Sequence, residues 1–407
     1  MTTFHRGFGL LALSLLVGFS VPVMAENLPS LKDALHKDGR FETFLAAPEK
    51  YRLQILLGTL ETDESGRSRL VQEGYRVDRE YFYPASTIKL GAAIAALEAL
   101  EVLRRETGKP LDLHTPLLFH PLFEGEELES VDPTNLVGEK LTFGHEIHKL
   151  FLVSDNQAYN HLYEFLGPDR LHHAMLRVGL LSSRIVHRLS ERRTPEENLE
   201  SPRIDFLGAD FQHTQPRRKA TLDLPELRIP GLEIGRGFQR GETLDEGPTD
   251  FSSKNRMSLL DLQRTLAMVV RPDLEVGRAQ FRLSEEHRTF LLQAMSQFPR
   301  ESRNPVYDEE EYPDHYVKFL LPGLLRVLPE QGLKIYNKVG QAYGFTIENA
   351  YVVDEKRGRS FFLAAVIYTN QDGILNNDQY EYDEVASPFM ADLGEWAARR
   401  VFRVESP

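Results

Sequence analysis

YPASTIKL, residues 83–90, places a serine and a lysine three positions apart at the start of an apolar segment. Small and apolar side chains dominate residues 91–100, which is the composition of a helix buried on nearly all sides. Positions i and i+3 share one face of a helix, so Ser86 and Lys89 would project side by side from the first turn. The stretch therefore predicts a buried helix that begins with a serine and a lysine on the same face.

A serine and a lysine in this arrangement suit nucleophilic catalysis. A serine hydroxyl is a weak nucleophile at neutral pH, and an adjacent lysine can take its proton if burial lowers the pKa of the lysine. Backbone N–H groups at a helix N-terminus also favour developing negative charge. The alternative is an ordinary N-cap followed by a solvated lysine. Because burial of an idle ammonium group in an apolar helix is costly, the position of Lys89 favours the catalytic interpretation.

A second polar group interrupts another apolar segment, where Ser154-Asp155-Asn156 follows a helical pattern that begins at Leu141. Side chains of these three types bond to local backbone groups and favour turns and caps. The triplet can therefore be a simple N-cap between two helices. As a functional loop, it would aim the Ser154 hydroxyl and the Asn156 amide into a cleft, while Asp155 faced inward to hold the loop.

A third group lies near the end of the chain. Residues 333–339 are a plausible strand with Lys338 close to its end, and two further strands, 345–354 and 360–368, are joined by a charged turn. Gly340 would allow a backbone to approach closely beside the lysine cation. The alternative is an edge-strand lysine that protects the sheet against aggregation.

Ser-x-x-Lys at a helix start, Ser-Asp-Asn between helices and Lys-x-Gly on a strand form the set shared by class A β-lactamases and penicillin-binding proteins. The sequence resembles class A β-lactamases over most of residues 26–407, including a hairpin before the Ser86 helix and a closing helix at 387–404. The resemblance implies an α+β, sandwich-like fold of the β-lactamase and transpeptidase type. An antiparallel sheet from both chain ends would pack beside a helical subdomain, with the active site at their junction.

The resemblance also implies a role for each matching side chain. Ser86 would be the acylated nucleophile and Lys89 its proton partner. Ser154 would relay a proton to the leaving nitrogen, and Asn156 would hold the amide side chain of the substrate. Lys338 would attract the substrate carboxylate and bias the electrostatics of the site.

Backbone donors complete the site that the resemblance implies. The N–H groups of Ser86 and Gln341 would form the oxyanion hole, with Gly340 providing the close backbone approach. Loss of one such donor typically lowers the rate by about 10²–10³. We expect no metal and no other cofactor, because His145-Glu146-Ile147-His148 lacks the spacing of a metalloprotease helix and the sequence contains no cysteine.

Two departures from the family pattern concern Val339 and Thr194. The family usually has a hydroxyl residue between the lysine and the glycine, where this chain has Val339. Class A enzymes activate the hydrolytic water with a loop glutamate that precedes a proline, and here Thr194 precedes Pro195. A threonine cannot act as that base.

Nearby acidic residues are alternative bases if the loop is bent differently. The loop begins at the Arg188-Leu189 pair and contains Glu191, Glu196 and Glu197, each of which can equally be a solvated loop residue. If none acts as the base, the protein would acylate readily and release slowly, as a penicillin-binding protein does.

The first 25 residues have the features of a secretory signal. Arg6 precedes an apolar run from Phe8 to Val21, and small residues lead to Ala25. We expect a secreted, periplasmic protein with no integral membrane segment after cleavage. The formal net charge of −13, which becomes −14 without Arg6, argues against nucleic acid or an anionic membrane as the main partner.

The composition, with 41% hydrophobic residues, would fit one large domain or two moderate ones, and we expect a single catalytic domain over residues 26–407. Two segments rich in proline, glycine or charge, 199–253 and 298–314, are expected to be loop-like insertions that flank the cleft.

The leading hypothesis is an exported serine hydrolase that opens a β-lactam amide through an acyl-serine intermediate. A peptidoglycan D,D-peptidase or an esterase is the alternative within the same chemistry. A cell-wall binding protein that keeps the cleft without turnover is the alternative outside it. The substrate would be a small molecule or a fragment derived from peptidoglycan.

Overall fold

The structure is a computed structural model that describes residues 28–403, so the expected signal peptide at 1–25 lies outside the described residues. The α-helices of this part of the chain are α1 Lys32–Leu35, α2 Glu42–Ala46, α3 Lys89–Thr107, α4 Phe143–Leu152, α5 Asn156–Arg177, α6 Leu259–Val270, α7 Glu285–Ser296, α8 Leu321–Leu324 and α9 Ser387–Phe402. Across residues 28–403, every helix is too short or too polar to span a bilayer.

Strands occur near both ends of the described chain and, as short pieces, between the helices. They are β1 Gln54–Thr62, β2 Ser68–Tyr75, β3 Leu117–Phe119, β4 Glu200–Ser201, β5 Ile204–Leu207, β6 Gln212–Gln215, β7 Arg218–Lys219, β8 Glu233–Ile234, β9 Gly237–Arg240, β10 Thr243–Glu246, β11 Thr249–Asp250, β12 Leu333–Asn337, β13 Gly340–Ala342, β14 Phe345–Asp354, β15 Arg359–Tyr368 and β16 Ile374–Leu375.

The central sheet is antiparallel and combines strands from near both ends of the described chain. Their order is β12-β14-β15-β1-β2, with β13 also paired to β14. The charged turn between β14 and β15 pairs Asp354 with Arg359, close to the predicted hairpin. In the middle of the sheet, β1 pairs with β15 and places Leu57 opposite Leu363. The predicted α+β class, with a sheet from both chain ends, is confirmed.

Both faces of this sheet are buried at its centre, where nearly every residue of β14 and β15 is buried. Successive strand residues point to opposite sides of the sheet. On β15, Phe361, Leu363 and Ala365 face one core cluster, which also contains Trp396 of α9. Phe362 and the other alternate residues of β15 face a second cluster, which includes α3 and α6. The sheet is therefore covered by terminal helices on one side and by the helical subdomain on the other.

The segment 199–253 differs from the expected loop. It contains the eight short strands β4 to β11, which pair into small sheets outside the central one. Strand β9 pairs in parallel with β16, at positions Gly237 and Ile374, so the insertion is joined to the segment that follows β15. Backbone groups in a compact domain need hydrogen-bond partners, and these short ladders provide them where the sequence has no apolar periodicity.

Gly323 permits the close packing of α8 against α9. A Cβ atom at this position would lie 1.6 Å from the Ala391 carbonyl oxygen, which belongs to the α9 backbone. We expect Gly323→Ala to lower the free energy of unfolding by about 3 kcal/mol, since overpacking against backbone forces the two helices apart. Urea denaturation measures this change.

Gly39→Ala is the matched control, because a Cβ at Gly39 has no neighbouring heavy atom within 4 Å. Its stability should stay within about 0.5 kcal/mol of the wild type. Equal stability of the two variants would contradict the close contact between α8 and α9.

Candidate active site

Ser86 lies in a 3-10 turn, Ala85–Ile88, that leads directly into α3. Ala85 has a φ of 47°, a left-handed conformation that is uncommon for a residue with a side chain and recurs at functional sites. The Pro84 carbonyl accepts hydrogen bonds from the Thr87 amide (3.1 Å) and the Thr87 hydroxyl (2.6 Å), which fix the turn. Ser86 is partly exposed, whereas the Lys89 side chain that begins α3 is fully buried.

The amine of Lys89 is held by the loop between α4 and α5. Its Nζ donates to the Ser154 carbonyl oxygen at 2.5 Å and to Asn156 Oδ1 at 2.6 Å, and it lies 3.4 Å from Ser154 Oγ. Both short contacts are to carbonyl oxygens, which can only accept. Two N–H bonds of Lys89 are therefore committed, and a neutral amine in this position keeps one lone pair free.

The electrostatics of Lys89 favour that neutral form. Burial lowers the pKa of Lys89 well below its ordinary value, and the nearby charge of Lys338 lowers the pKa further, while Asp155 opposes both effects. A lowered pKa increases the neutral fraction of the amine, and a neutral amine can accept a proton, as a general base must.

Ser154 connects the two lysines. Lys338 Nζ donates to Ser154 Oγ at 2.8 Å and to the Val339 carbonyl at 3.0 Å. Because Ser154 Oγ accepts from Lys338, its own hydroxyl hydrogen remains available for another acceptor. Burial lowers the pKa of Lys338 to about 7, with Glu348 raising it and Lys318 lowering it.

Gly340 brings the end of the sheet against the Ser86 turn. A Cβ atom at Gly340 would lie 2.6 Å from the Pro84 carbonyl oxygen and 3.0 Å from the Ser86 amide nitrogen, so only a glycine fits without a shift. Gln341 follows on β13 and is exposed. The structure therefore brings the three motifs together, with Lys89, Ser154, Asn156 and Lys338 joined by hydrogen bonds and Ser86 beside Gly340.

The backbone of the Ser154-Asp155-Asn156 loop is strained, and buried charged groups behind the loop hold it in place. Ser154 has a φ of 59°, and Asp155 caps α5 by accepting from the Ala158 amide at 2.9 Å. Lys149 Nζ lies 2.5 Å from Asp132 Oδ2 and 3.8 Å from Asp155 Oδ2 in the buried layer behind the loop. This ion network holds Asp155, and with it the backbone of the loop.

The loop that begins at Arg188 is anchored by the fully buried guanidinium of that residue. Arg188 Nε donates to Glu164 Oε1 at 2.8 Å, and Nη2 donates to the Glu200 carbonyl at 2.9 Å. The Asn198 side chain accepts from the Arg188 amide at 2.9 Å and donates to the Thr194 carbonyl at 2.9 Å. The Asn198 side chain thus joins the end of the loop to its start at Arg188 and to its middle at Thr194.

The acidic residues of this loop have structural partners. Thr194 and Glu197 form a reciprocal cap, in which the Thr194 amide donates to Glu197 Oε2 and the Glu197 amide donates to Thr194 Oγ1. Glu191 accepts from Asn160 Nδ2 at 2.8 Å and from Arg193 Nε at 3.1 Å. Glu196 is exposed.

Ser190 is a site residue that the sequence did not indicate. Its Oγ accepts from Asn156 Nδ2 at 2.7 Å, and the Oδ1 of the same Asn156 side chain accepts from the Lys89 amine. The φ of Ser190 is 57°. The only sign of Ser190 in the sequence was its position, two residues after Arg188 at the start of this loop. A hydroxyl at this position can orient a water molecule but cannot remove its proton as a carboxylate would.

The family comparison supports the resemblance inferred from the motifs. A model described as the beta-lactamase enzyme family matches residues 55–223, a segment that includes Ser86, Lys89 and Ser154. No curated protein matches the chain. The resemblance to the superfamily of serine β-lactamases and penicillin-binding proteins is confirmed by this match, which is confined to residues 55–223.

The solved structures that match the chain are distant in sequence. A β-lactamase from Desulfarculus baarsii is 17% identical, with 90% of this chain and 97% of that chain covered and a TM-score of 0.48. A β-lactamase from Xanthomonas campestris is 18% identical, covers 92% and 100%, and has a TM-score of 0.47. A single-residue mutant of PBP-A, solved as an acyl-enzyme complex with penicillin G, is 15% identical, covers 92% and 94%, and has a TM-score of 0.48.

Removal of the Arg188 guanidinium tests the anchoring of the loop. We expect Arg188→Leu to lower the free energy of unfolding by about 3–5 kcal/mol, because Glu164 would be left largely buried without its cation. Urea denaturation measures the loss. Arg192→Leu, at an exposed position of the same loop, should change stability by less than about 0.5 kcal/mol. A wild-type stability for Arg188→Leu would refute the anchoring role.

Proposed function

We propose that the protein is an exported serine hydrolase that opens an amide through an acyl-serine intermediate, with a β-lactam amide as the leading substrate. The observation that carries this proposal is the buried Lys89 amine, held by two carbonyl oxygens beside Ser154 and one turn beyond Ser86. The family match over residues 55–223 supports β-lactamase-like hydrolase chemistry for the segment that contains these residues.

In the acylation step, the Ser86 hydroxyl transfers its proton to the lone pair of Lys89 as Oγ attacks the carbonyl carbon. The oxyanion that forms accepts hydrogen bonds from the amides of Ser86 and Gln341. The C–N bond then breaks, and the leaving nitrogen takes the hydroxyl proton of Ser154. The proton held by Lys89 replaces it across the 3.4 Å separation between Lys89 Nζ and Ser154 Oγ.

Substrate binding is assigned to Lys338 and Asn156. The Lys338 cation attracts a substrate carboxylate, and the Asn156 amide bonds to the side-chain amide of the substrate. Because Val339 is buried and has no hydroxyl, the carboxylate receives one fewer hydrogen bond than in the family pattern. Binding of the carboxylate depends correspondingly more on the charge of Lys338.

A second candidate function follows from the release step. Hydrolysis of an acyl-serine needs a base for the attacking water, and the loop places the Ser190 hydroxyl, not a carboxylate, against Asn156. Thr194, at the expected glutamate position, instead caps the turn at Glu197. These contacts favour slow release, which suits a D,D-peptidase, an esterase or a penicillin-binding role more than rapid β-lactam turnover.

The acyl-serine intermediate is testable by intact-mass spectrometry. The mature protein is incubated with benzylpenicillin over a time course, and we expect one penicilloyl adduct on the wild type and none on Ser86→Ala. An adduct that decays supports β-lactamase turnover, and a persistent adduct supports the penicillin-binding alternative. Absence of an adduct at every time and pH would refute β-lactam acylation.

The pH dependence of acylation tests the role of Lys338. Since the pKa of Lys338 is lowered to about 7, its cation is present below that pH and is lost above it. The second-order rate of acylation by a penicillin should therefore fall as the pH rises from 7 to 9, by roughly tenfold per pH unit once Lys338 is neutral.

Lys338→Arg is the matched variant, because an arginine stays charged throughout this range. The acylation rate of Lys338→Arg, whatever its absolute value, should not fall between pH 7 and 9. A fall of the same size in both proteins would assign the titration to another group.

A further inference from the structure

Behind Lys338 lies a cluster of charged and polar side chains that the proposed chemistry does not use. It consists of Lys318, Asn337 and Glu348, all of which are at most 4% exposed. Lys318 precedes α8, Asn337 ends β12, and Glu348 lies on β14. Buried charges are costly unless they are paired and hydrogen-bonded, so their presence at one point of the core calls for an explanation.

The hydrogen bonds of Lys318 are fully satisfied. Its Nζ donates to the Met295 carbonyl at 2.8 Å, to the Ile335 carbonyl at 3.0 Å and to Asn337 Oδ1 at 2.9 Å. Three acceptors match the three hydrogens of an ammonium group. The geometry therefore fits the charged form of Lys318.

Glu348 is joined to Lys318 through the Asn337 amide. Asn337 Nδ2 donates to Glu348 Oε1 at 2.8 Å, and the Phe319 amide donates to Glu348 Oε2 at 2.9 Å. The carboxamide of Asn337 thus accepts from the cation and donates to the acid. Its oxygen and nitrogen have complementary partners, which fixes its orientation.

The cluster holds the backbone of Lys338 on both sides. Asn337 is the residue immediately before Lys338, and the Lys338 amide donates to the Asn349 carbonyl at 3.1 Å, one residue beyond Glu348. A change at Asn337 or Glu348 would therefore reach Lys338 through one peptide unit. Glu348 and Lys318 are also the charged groups that act on the pKa of the Lys338 amine, in opposite directions.

We propose that Lys318 and Glu348 are positioning residues that fix Lys338 through the hydrogen bonds of Asn337 and through the strand pairing beside Glu348, and that their two charges act on the Lys338 amine. The consequence of this positioning for catalysis rests on the function proposed above. The Glu348 carboxylate favours the Lys338 cation, and the Lys318 ammonium disfavours it. Burial allows Lys338 to change its charge near neutral pH, and the two neighbouring charges adjust its pKa in opposite directions.

The direction of each effect follows from the charges that face each group. Burial has the largest effect on Lys338 and lowers its pKa, Glu348 raises it and Lys318 lowers it, and the charge of Lys338 in turn lowers the pKa of Lys89. Burial also lowers the pKa of Lys318, to about 8, against Glu348, Glu301 and Asp314. The same burial raises the pKa of Glu348 to about 7, against the bond from Asn337 and the charge of Lys318.

Two substitutions should therefore move the Lys338 pKa in opposite directions. Glu348→Gln keeps the shape and one of the two acceptor oxygens but removes the anion, so the Lys338 pKa should fall by about one unit. Lys318→Met removes the cation, so the Lys338 pKa should rise by about one unit. A role confined to packing would not produce shifts of opposite sign.

The direct measurement is an NMR titration of protein labelled with ¹³C at lysine Cε, in which the Lys338 resonance is assigned by its loss in Lys338→Arg. The matched controls are Glu355→Gln and Lys334→Met, which remove one charge each at exposed positions, directly after β14 and on β12. Both controls should leave the Lys338 pKa within about 0.3 unit of the wild type. The pH profile of acylation by benzylpenicillin provides the second readout and should move with the titration.

Opposite shifts in the two variants support the proposal. Unchanged titration, or shifts of the same sign, overturns it. Glu348→Gln is the more conservative change. If Lys318→Met does not fold, a fall in Glu348→Gln alone supports the proposal, and an unchanged Lys338 pKa in that variant overturns it. Because the titration needs no substrate, a wild type that never acylates would count against the proposed function and leave this result intact.

Discussion

The burial of the Lys89 amine is the interaction on which the site depends. An amine removed from water must find acceptors, and the Ser154 carbonyl and Asn156 Oδ1 are the ones within reach. Those two bonds join the start of α3 to the loop between α4 and α5. They also leave the nitrogen with an unused lone pair when it is neutral. The same contacts that make burial tolerable therefore prepare the lysine to accept a proton.

The scaffold maintains this arrangement against local strain. Ala85 and Ser154 both have positive φ values, and each such residue typically costs about 1–3 kcal/mol. The strain is sustained because both turns are held by other parts of the core. Gly340 packs its backbone against the Ser86 turn, and Lys149 lies near Asp155 beneath the loop. The sheet and the helical subdomain are thus needed together to keep the hydroxyls and amines in place.

The sequence was sufficient for the fold class and the three motifs, because each motif is local and lies at the end of a strongly patterned element. It was insufficient where contacts join distant positions without periodicity. Ser190 meets Asn156 across 34 residues, and Asn337 meets Lys318 across 19. The sequence left the loop ambiguous, since Thr194 occupies the position before Pro195 and the alternative bases Glu191, Glu196 and Glu197 lie close to it. The hydrogen bonds resolve this ambiguity, because Ser190 contacts the Lys89 network and Thr194 instead pairs with Glu197.

In the proposed reaction, the groups needed to form the acyl-serine differ from those needed to release it. Formation needs a base, a donor for the leaving nitrogen and a cation for the substrate, and these groups lie within one hydrogen-bonded set around Ser154. Release of the proposed acyl-serine needs a base for the attacking water, and beside Asn156 the loop presents the Ser190 hydroxyl. A hydroxyl with an ordinary pKa cannot take a proton from water at neutral pH. In the proposed mechanism, the Lys89 amine is a basic group available for release, after it has returned its proton through Ser154 to the leaving nitrogen.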